Sequence, residues 1–429
     1  MTVTSSRLDS GTGYGRAPSS HNARLTEVGP GTPMGEALRR YWHPIACSSA
    51  LTPEVPHRTK VLGEDLIVFR DGSGRAGVVF ERCAHRGSSL YYGRIEEDGI
   101  RCCYHGWKFD VQGHCLEQAC EPDRGRRRDA ARQPWYPVEE RYGLVFVYMG
   151  PPERKPALPR YDFFENLGDG ESFYSELPVP GANVTGPVTP CNWLQTYENG
   201  MDQVHATWLH YTHSGPQFDG MGGDGIPLSA LDPYKAQETL TWHTSEHGTY
   251  YHVLFDKELA DGTVVTLDSV AECQLPTVLA LHDFAVLPID KPMDMLIYLV
   301  PVDDTSHRTF ITTRSTGPDR LFHLIMGIKQ NGKFPWELTE EERQRYPGDV
   351  EAQVSQGPIA QHSEETLATS DKGVVMLRRM LSQMVDDVEA GRDPINVEFG
   401  EGSPRSTKAG LFTVARKDTQ APFSAAANS

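Results

Sequence analysis

The sequence predicts an α+β fold in two parts, a small antiparallel β domain followed by a larger antiparallel sheet with helices before and after it. Three observations predict it. Short β-branched and aromatic segments near the start of the chain carry two cysteines and two histidines, Cys83, His85, Cys102 and His105. A proline-rich stretch follows at Pro151, Pro152, Pro156 and Pro159, where each ring removes a ladder donor and biases its predecessor toward extended backbone. Beyond it come a helical segment, a series of strand-like segments and a last amphipathic helix.

At 429 residues the chain is long enough for two packed cores. The expected division is a tail at 1–22, a first domain at 23–155 with a leading helix, a second domain at 156–420 and a tail at 421–429. The balance of 41 Lys+Arg against 58 Asp+Glu gives −17, which disfavours phosphate backbones and anionic membrane surfaces, so neither nucleic acid nor a membrane is an expected partner. The first twenty residues lack an apolar core, and no later run approaches the length that spans a bilayer, so the expected location is cytoplasmic. Eight cysteines are too sparse in so long a chain for a secreted disulfide framework. Reduced thiols and a metal site fit better.

In order, Thr32 and Glu36 open a short helix with apolar residues at helical spacing. Residues 60–69 and 77–80 read as strands joined by Asp71-Gly72-Ser73-Gly74, which is hairpin chemistry leading into Cys83. A strand is expected at 143–148. After the proline-rich stretch, 192–213 reads helical, and strands are expected at 238–245, 250–255, 263–270, 277–286, 295–302 and 308–314, sharing one sheet. The stripe Val374, Leu377, Leu381, Met384 and Val388 marks the last helix, stopped by Gly391.

Two thiolates and two imidazoles on paired loops suit either one tetrahedral zinc or a [2Fe–2S] cluster with histidines on one iron. The order Cys-x-His, then Cys-x-x-His followed by Gly-Trp, favours the cluster, because structural zinc pairs usually read Cys-x₂₋₄-Cys and His-x₃₋₅-His. On these residues the chain resembles the Rieske family, with Cys83, His85, Cys102 and His105 as cluster ligands. Cys103, where the family often has proline, breaks the Cys-x-x-His count and reads as a small buried side chain beside the cluster.

The second constellation is Asn199-x-x-Asp202-x-x-His205-x₄-His210. The first three are spaced for one helical face, whereas His205 and His210 can reach one ion only if the helix distorts between them, as π-bulges do. Downstream of a Rieske motif this resembles the mononuclear iron site of the Rieske non-haem oxygenases, in which two histidines and one carboxylate leave metal positions open. The segment around Gly348-Asp349, before Gly357-Pro358-Ile359, is similar to the phthalate dioxygenase branch and implies Asp349 as the carboxylate, with Glu351 as the alternative.

What the resemblance implies is a Rieske domain joined to a helix-grip catalytic domain (antiparallel sheet with helices), assembled as a homotrimer or homohexamer. It implies one [2Fe–2S] cluster and one Fe(II) per subunit, O2 as cosubstrate, and Asn199 and Asp202 as catalytic residues. Asp202 would join His205 to His105 of a neighbouring subunit. No Gly-x-Gly-x-x-Gly fingerprint or plant-type cluster motif is evident, so NAD(P)H is expected to act through a separate flavin and [2Fe–2S] reductase. The implied activity is hydroxylation of a small aromatic substrate, carboxylate-bearing in the branch resembled, with monooxygenation or O-demethylation as the alternative. Arg314, on an expected strand, is the candidate cation for that carboxylate. A zinc-stapled binding protein is the reading from a different class.

Overall fold

The computed structural model describes residues 18–177, 184–215, 217, 237–258, 262–281, 290, 295–317, 328–400 and 402–417. The expectations for most of the two tails and for 282–286 lie outside them.

Two small sheets build the part that carries the Cys/His loops. One runs His57–Val61, Glu64–Arg70, Ala76–Phe80 and Trp135–Tyr136, and the other Arg94–Glu96, Gly99–Arg101, Trp107–Phe109 and Cys115–Gln118. Ile67, Phe69, Val79, Leu90, Ile100 and Phe109 fill the space between them, and the buried Cys83 and Cys102 belong to that same core. The strand expected at 60–69 is two strands. Leu62 and Gly63 both take positive φ, 49° and 80°, and make a tight turn between them. The sequence concealed that turn because Leu62 is apolar and fully buried. The helix after Thr32 spans Pro33–Leu38 and is capped by the Thr32 hydroxyl, which accepts from the Gly35 N–H at 3.2 Å. Trp42 already belongs to a strand.

A third sheet, Trp42–Cys47, Leu144–Tyr148 and Val138–Arg141, ties the two parts together. Its Trp42, Phe146 and Tyr148 share one continuous apolar core with Trp193, Leu299 and Leu381 of the second part.

Among the described residues that second part is a nine-stranded antiparallel sheet. Its central strands are Ser306–Ser315, Met295–Asp303, Val278–Ala280, Val264–Gln274 and Gly248–Glu258, paired in that order. Three of its strands were not expected: Ser172–Tyr174 and Val188–Thr189, both on Ser306–Ser315, and Gly410–Lys417 on Val264–Gln274. The last helix, Lys372–Glu389, packs Leu377, Leu381, Met384 and Val385 against this sheet. Its Gly373 lies so close that an added Cβ would stand 2.4 Å from the Trp242 ring and 2.8 Å from the Met201 carbonyl. No helix among the described residues is long and apolar enough to cross a membrane.

The segment expected to be one helix over 192–213 is three pieces: Trp193–Asn199, then Gln203–Thr207, then a π-helix at Trp208–His213. Asn192 holds its start. The buried side chain accepts from the Leu194 N–H at 3.1 Å and donates to the carbonyls of Thr26 at 2.9 Å and Asp304 at 2.6 Å. Asn192→Ala removes the cap and leaves two carbonyls without that donor, an expected cost of about 2–3 kcal/mol. Thermal unfolding of the full chain checks this: a clearly lowered midpoint is expected, and an unchanged one contradicts the assignment.

Candidate metal centres

The two Cys/His loops are built alike. In each, a glycine in the left-handed region turns the chain back on its cysteine, with Gly87 (φ 73°) donating to the Cys83 carbonyl at 2.9 Å and Gly106 (φ 68°) to the Cys102 carbonyl at 3.1 Å. Such φ values favour residues without a Cβ. The loops are also held from outside. The buried Gln133 accepts from the Ala84 N–H at 2.8 Å and donates to the carbonyls of Phe80 and Arg82, while Arg101 donates to the Gly106 carbonyl at 2.7 Å. Sequence reasoning missed both of these supports, because a lone Gln or Arg carries no motif.

The four side chains meet as two pairs. Cys83 and Cys102 hydrogen-bond each other, and the His85 and His105 rings lie 4.7 Å apart between centroids, with His85 stacked on Trp107 at 4.3 Å. The hydrogen bond from Cys83 holds the Cys102 thiol well below its usual range against the effect of burial, helped by the N–H groups of Tyr104 and His105. Donors aimed at sulfur suit a thiolate ligand. Among the described residues these four do not form a group that could hold one ion. A pair of thiols beside a pair of imidazoles fits a two-iron cluster. Cys103, expected to be buried, is exposed, its sulfur 3.9 Å from the Ser88 hydroxyl.

The group that could hold one ion is His205, His210 and Asp349, whose ligand atoms all lie within 4.8 Å of one another. The backbone changes character between the histidines. α-Helix gives way to π-helix at Trp208, and the two rings come to 5.5 Å between centroids. Asp349 opens the helix Asp349–Val354. Its two oxygens divide between the rings, with Oδ1 3.4 Å from His205 Nε2 and Oδ2 3.2 Å from His210 Nε2. Both Nδ1 atoms are engaged elsewhere, that of His205 with the Asp202 carbonyl and that of His210 with Gln217 Oε1 at 2.6 Å. Asn199 donates to Asp349 Oδ1 at 3.0 Å. Glu351 is committed to its own helix cap at the Gly348 N–H and to Arg343.

Asn199, Asp202 and His205 do not share one helical face, because the helix breaks at Gly200–Asp202. Asp202 instead caps the next helix through the His205 N–H at 3.3 Å. Its carboxylate stands 3.8 Å from His205 Nδ1, beyond hydrogen-bond reach, and 34 % of its side chain remains open at an outer cleft.

On the other side the group opens into a cavity of about 340 Å³, walled by Leu279, Leu281, Met295, Ile297, Leu299 and Ile311. Odd-numbered residues of Ser306–Ser315, namely His307, Thr309 and Ile311, line it. Arg314 has the opposite parity, faces away and donates to the carbonyls of Phe163 at 2.7 Å and Asn166 at 2.8 Å. It is not the cavity cation it was expected to be. Neither Lys nor Arg lines the cavity among the described residues.

Paired Cys/His loops of this form, joined to a cavity with two histidines and a carboxylate at its wall, fit an iron–sulfur oxidoreductase. Comparisons with known proteins agree. Residues 41–131 match the family model for the Rieske [2Fe-2S] domain. The phenoxybenzoate dioxygenase subunit alpha of Ectopseudomonas oleovorans is 44 % identical over 91 % of each chain. The tert-butanol monooxygenase / tert-amyl alcohol desaturase oxygenase subunit of Aquincola tertiaricarbonis is 37 % identical over 88 % of this chain and 79 % of its own. The crystal structure of dicamba monooxygenase bound to dicamba shares the fold, with a TM-score of 0.55 at 17 % identity over 82 % of this chain and 99 % of that one. The chain belongs to the Rieske oxygenases, as an oxygenase (alpha) subunit, and its first part is a Rieske [2Fe–2S] domain.

In the metal-free chain Asp349 and the histidines compensate one another. Burial alone would lower His205 and raise Asp349, yet Asp349 holds His205 above the usual imidazole value, and His210 with His205 holds Asp349 far below the carboxylate range. The raised imidazole stabilises the fold below about pH 6.5, and that contribution is lost as pH rises through its folded value. The depressed carboxylate stabilises it above about pH 3.9, and that contribution is lost as pH falls through its folded value. The pair is therefore expected to help most between these limits. Asp349→Asn should lower the His205 value, which an NMR titration of the chelated protein reads directly. An unchanged His205 titration contradicts the pairing.

Proposed function

We propose that this chain is the terminal oxygenase component of a multicomponent system, with residues 23–155 carrying electrons and 156–420 carrying the oxidation. In this reading Cys83, His85, Cys102 and His105 hold the cluster, and His205, His210 and Asp349 hold Fe(II). The observation that carries it is the convergence of two imidazole Nε2 atoms and one carboxylate at the wall of an apolar cavity. When bound, the cluster would supply electrons delivered from NAD(P)H by a separate reductase, and the Fe(II) would supply open positions at which O2 meets the substrate.

The chain's own residues do the positioning. Hydrogen bonds at both Nδ1 atoms select the tautomer in which each neutral ring would present Nε2 to a metal. Asn199 fixes the Asp349 carboxylate through Oδ1, the oxygen that also faces His205. The aliphatic wall excludes water and accepts a flat ring by dispersion and burial. In this reading Asp202, about one-third open beside His205, would meet His105 of a neighbouring subunit in a homotrimer or homohexamer. The substrate class proposed is an aromatic acid or aryl ether, supported by the phenoxybenzoate relative and by the cavity's apolar wall.

Asp349→Ala is expected to empty the mononuclear site while the Rieske absorbance persists, and Glu351→Ala to retain both metals. Iron analysis separates the two, and the reverse pattern would move the ligand to Glu351. For electron transfer, Asp202→Asn should keep both metals yet lower coupled NADH and O2 consumption by at least about tenfold, since the amide keeps the shape but loses the charge that orients imidazole N–H groups. Normal turnover in that variant contradicts the bridging role.

A further inference from the structure

Gln217 belongs to none of the motifs, yet it is 2 % exposed and joins the two stretches of chain that deliver His210 and Asp349. Its amide orientation is decided by its partners. The Pro347 carbonyl can only accept, so the Gln217 Nε2 group donates to it, at 2.9 Å. The amide oxygen is thereby turned to His210 Nδ1, at 2.6 Å. An amide oxygen can only accept, so Nδ1 carries a proton, which makes Nε2 the nitrogen that a neutral His210 ring presents to a metal.

The backbone of Gln217 is fixed as well. Its N–H donates to the His210 carbonyl at 3.0 Å, closing a loop around the histidine, and its carbonyl accepts from the Lys329 N–H at 2.9 Å. Pro347 stands two residues before Asp349. One side chain thus sets the tautomer of one candidate ligand and anchors the turn that presents another. The turn has a second support, because the Ser214 hydroxyl also donates to the Pro347 carbonyl, at 2.7 Å.

We propose that Gln217 is a positioning residue for the mononuclear site, holding His210 in the tautomer that presents Nε2 to Fe(II). The inference rests on the reading of His205, His210 and Asp349 as ligands. Loss of a hydrogen-bond partner behind a metal-bound histidine typically weakens the metal 10–100-fold. Gln217→Met keeps the length and volume of the side chain and removes the acceptor, while Ser214 continues to satisfy Pro347. Gln217→Glu keeps an acceptor for Nδ1–H.

The test is anaerobic titration of the chelated full-length protein with ferrous ammonium sulfate, comparing the parent, Gln217→Met, Gln217→Glu and Asp349→Ala. The Rieske visible spectrum is recorded throughout. Gln217→Met is expected to weaken Fe(II) binding about 10–100-fold with an unchanged Rieske spectrum, and Gln217→Glu to stay within about threefold of the parent. Binding by Gln217→Met within about threefold of the parent overturns the inference, as does an equal loss in Gln217→Glu. Normal iron binding by Asp349→Ala would instead bring down the ligand reading itself.

Discussion

A carboxylate drawn between two imidazoles is the interaction on which the second part of this molecule depends. Asp349, His205 and His210 come from chain segments with different backbones: a helix start, an α-helical turn and a π-helical turn. Gathering three polar groups at an apolar wall costs desolvation unless each is paired. Here each is paired, by ring to carboxylate, by Asn199 to Asp349 and by Gln217 to His210. The change from α-helix to π-helix between the two histidines is the distortion that lets one stretch of chain offer both rings to one point.

The Cys/His loops solve a different problem with the same economy of chain. Two turns of similar geometry place a pair of thiols beside a pair of imidazoles, and N–H groups pointing at sulfur favour the charged ligand. Gln133 and Arg101 hold the two loops from behind. The shared core through Trp42, Phe146 and Trp193 fixes the iron–sulfur part to the cavity part, so the two centres keep one relation within a chain. Asp202 is open at the outer cleft and out of hydrogen-bond reach of the His205 ring nitrogen.

Much of this was legible because it is local. Cys83, His85, Cys102 and His105 announce themselves by spacing, and the five-residue gap from His205 to His210 required a distorted helix, which is what forms. Asp349 was legible only through resemblance, since it lies 150 residues from the Asn199 that touches it. Arg314 was misjudged because a strand's facing depends on its register, and the inward set there is His307, Thr309 and Ile311. The turn at Leu62-Gly63 hid inside an apolar run, and Gly410–Lys417 hid near a polar tail although it pairs with a central strand. Gln217 could not be found from sequence, because a glutamine behind a histidine is defined only by what folding brings to its two ends.

The central claim is that one chain holds two chemically distinct iron centres, one at paired loops and one at the cavity wall. Anomalous diffraction from crystals of the anaerobically purified protein, collected on both sides of the iron and zinc edges, tests it most directly. The account predicts a two-iron peak between Cys83, Cys102, His85 and His105 and a separate single-iron peak among His205, His210 and Asp349. Zinc at the loops, or a cavity-wall peak surrounded by other side chains, would contradict it.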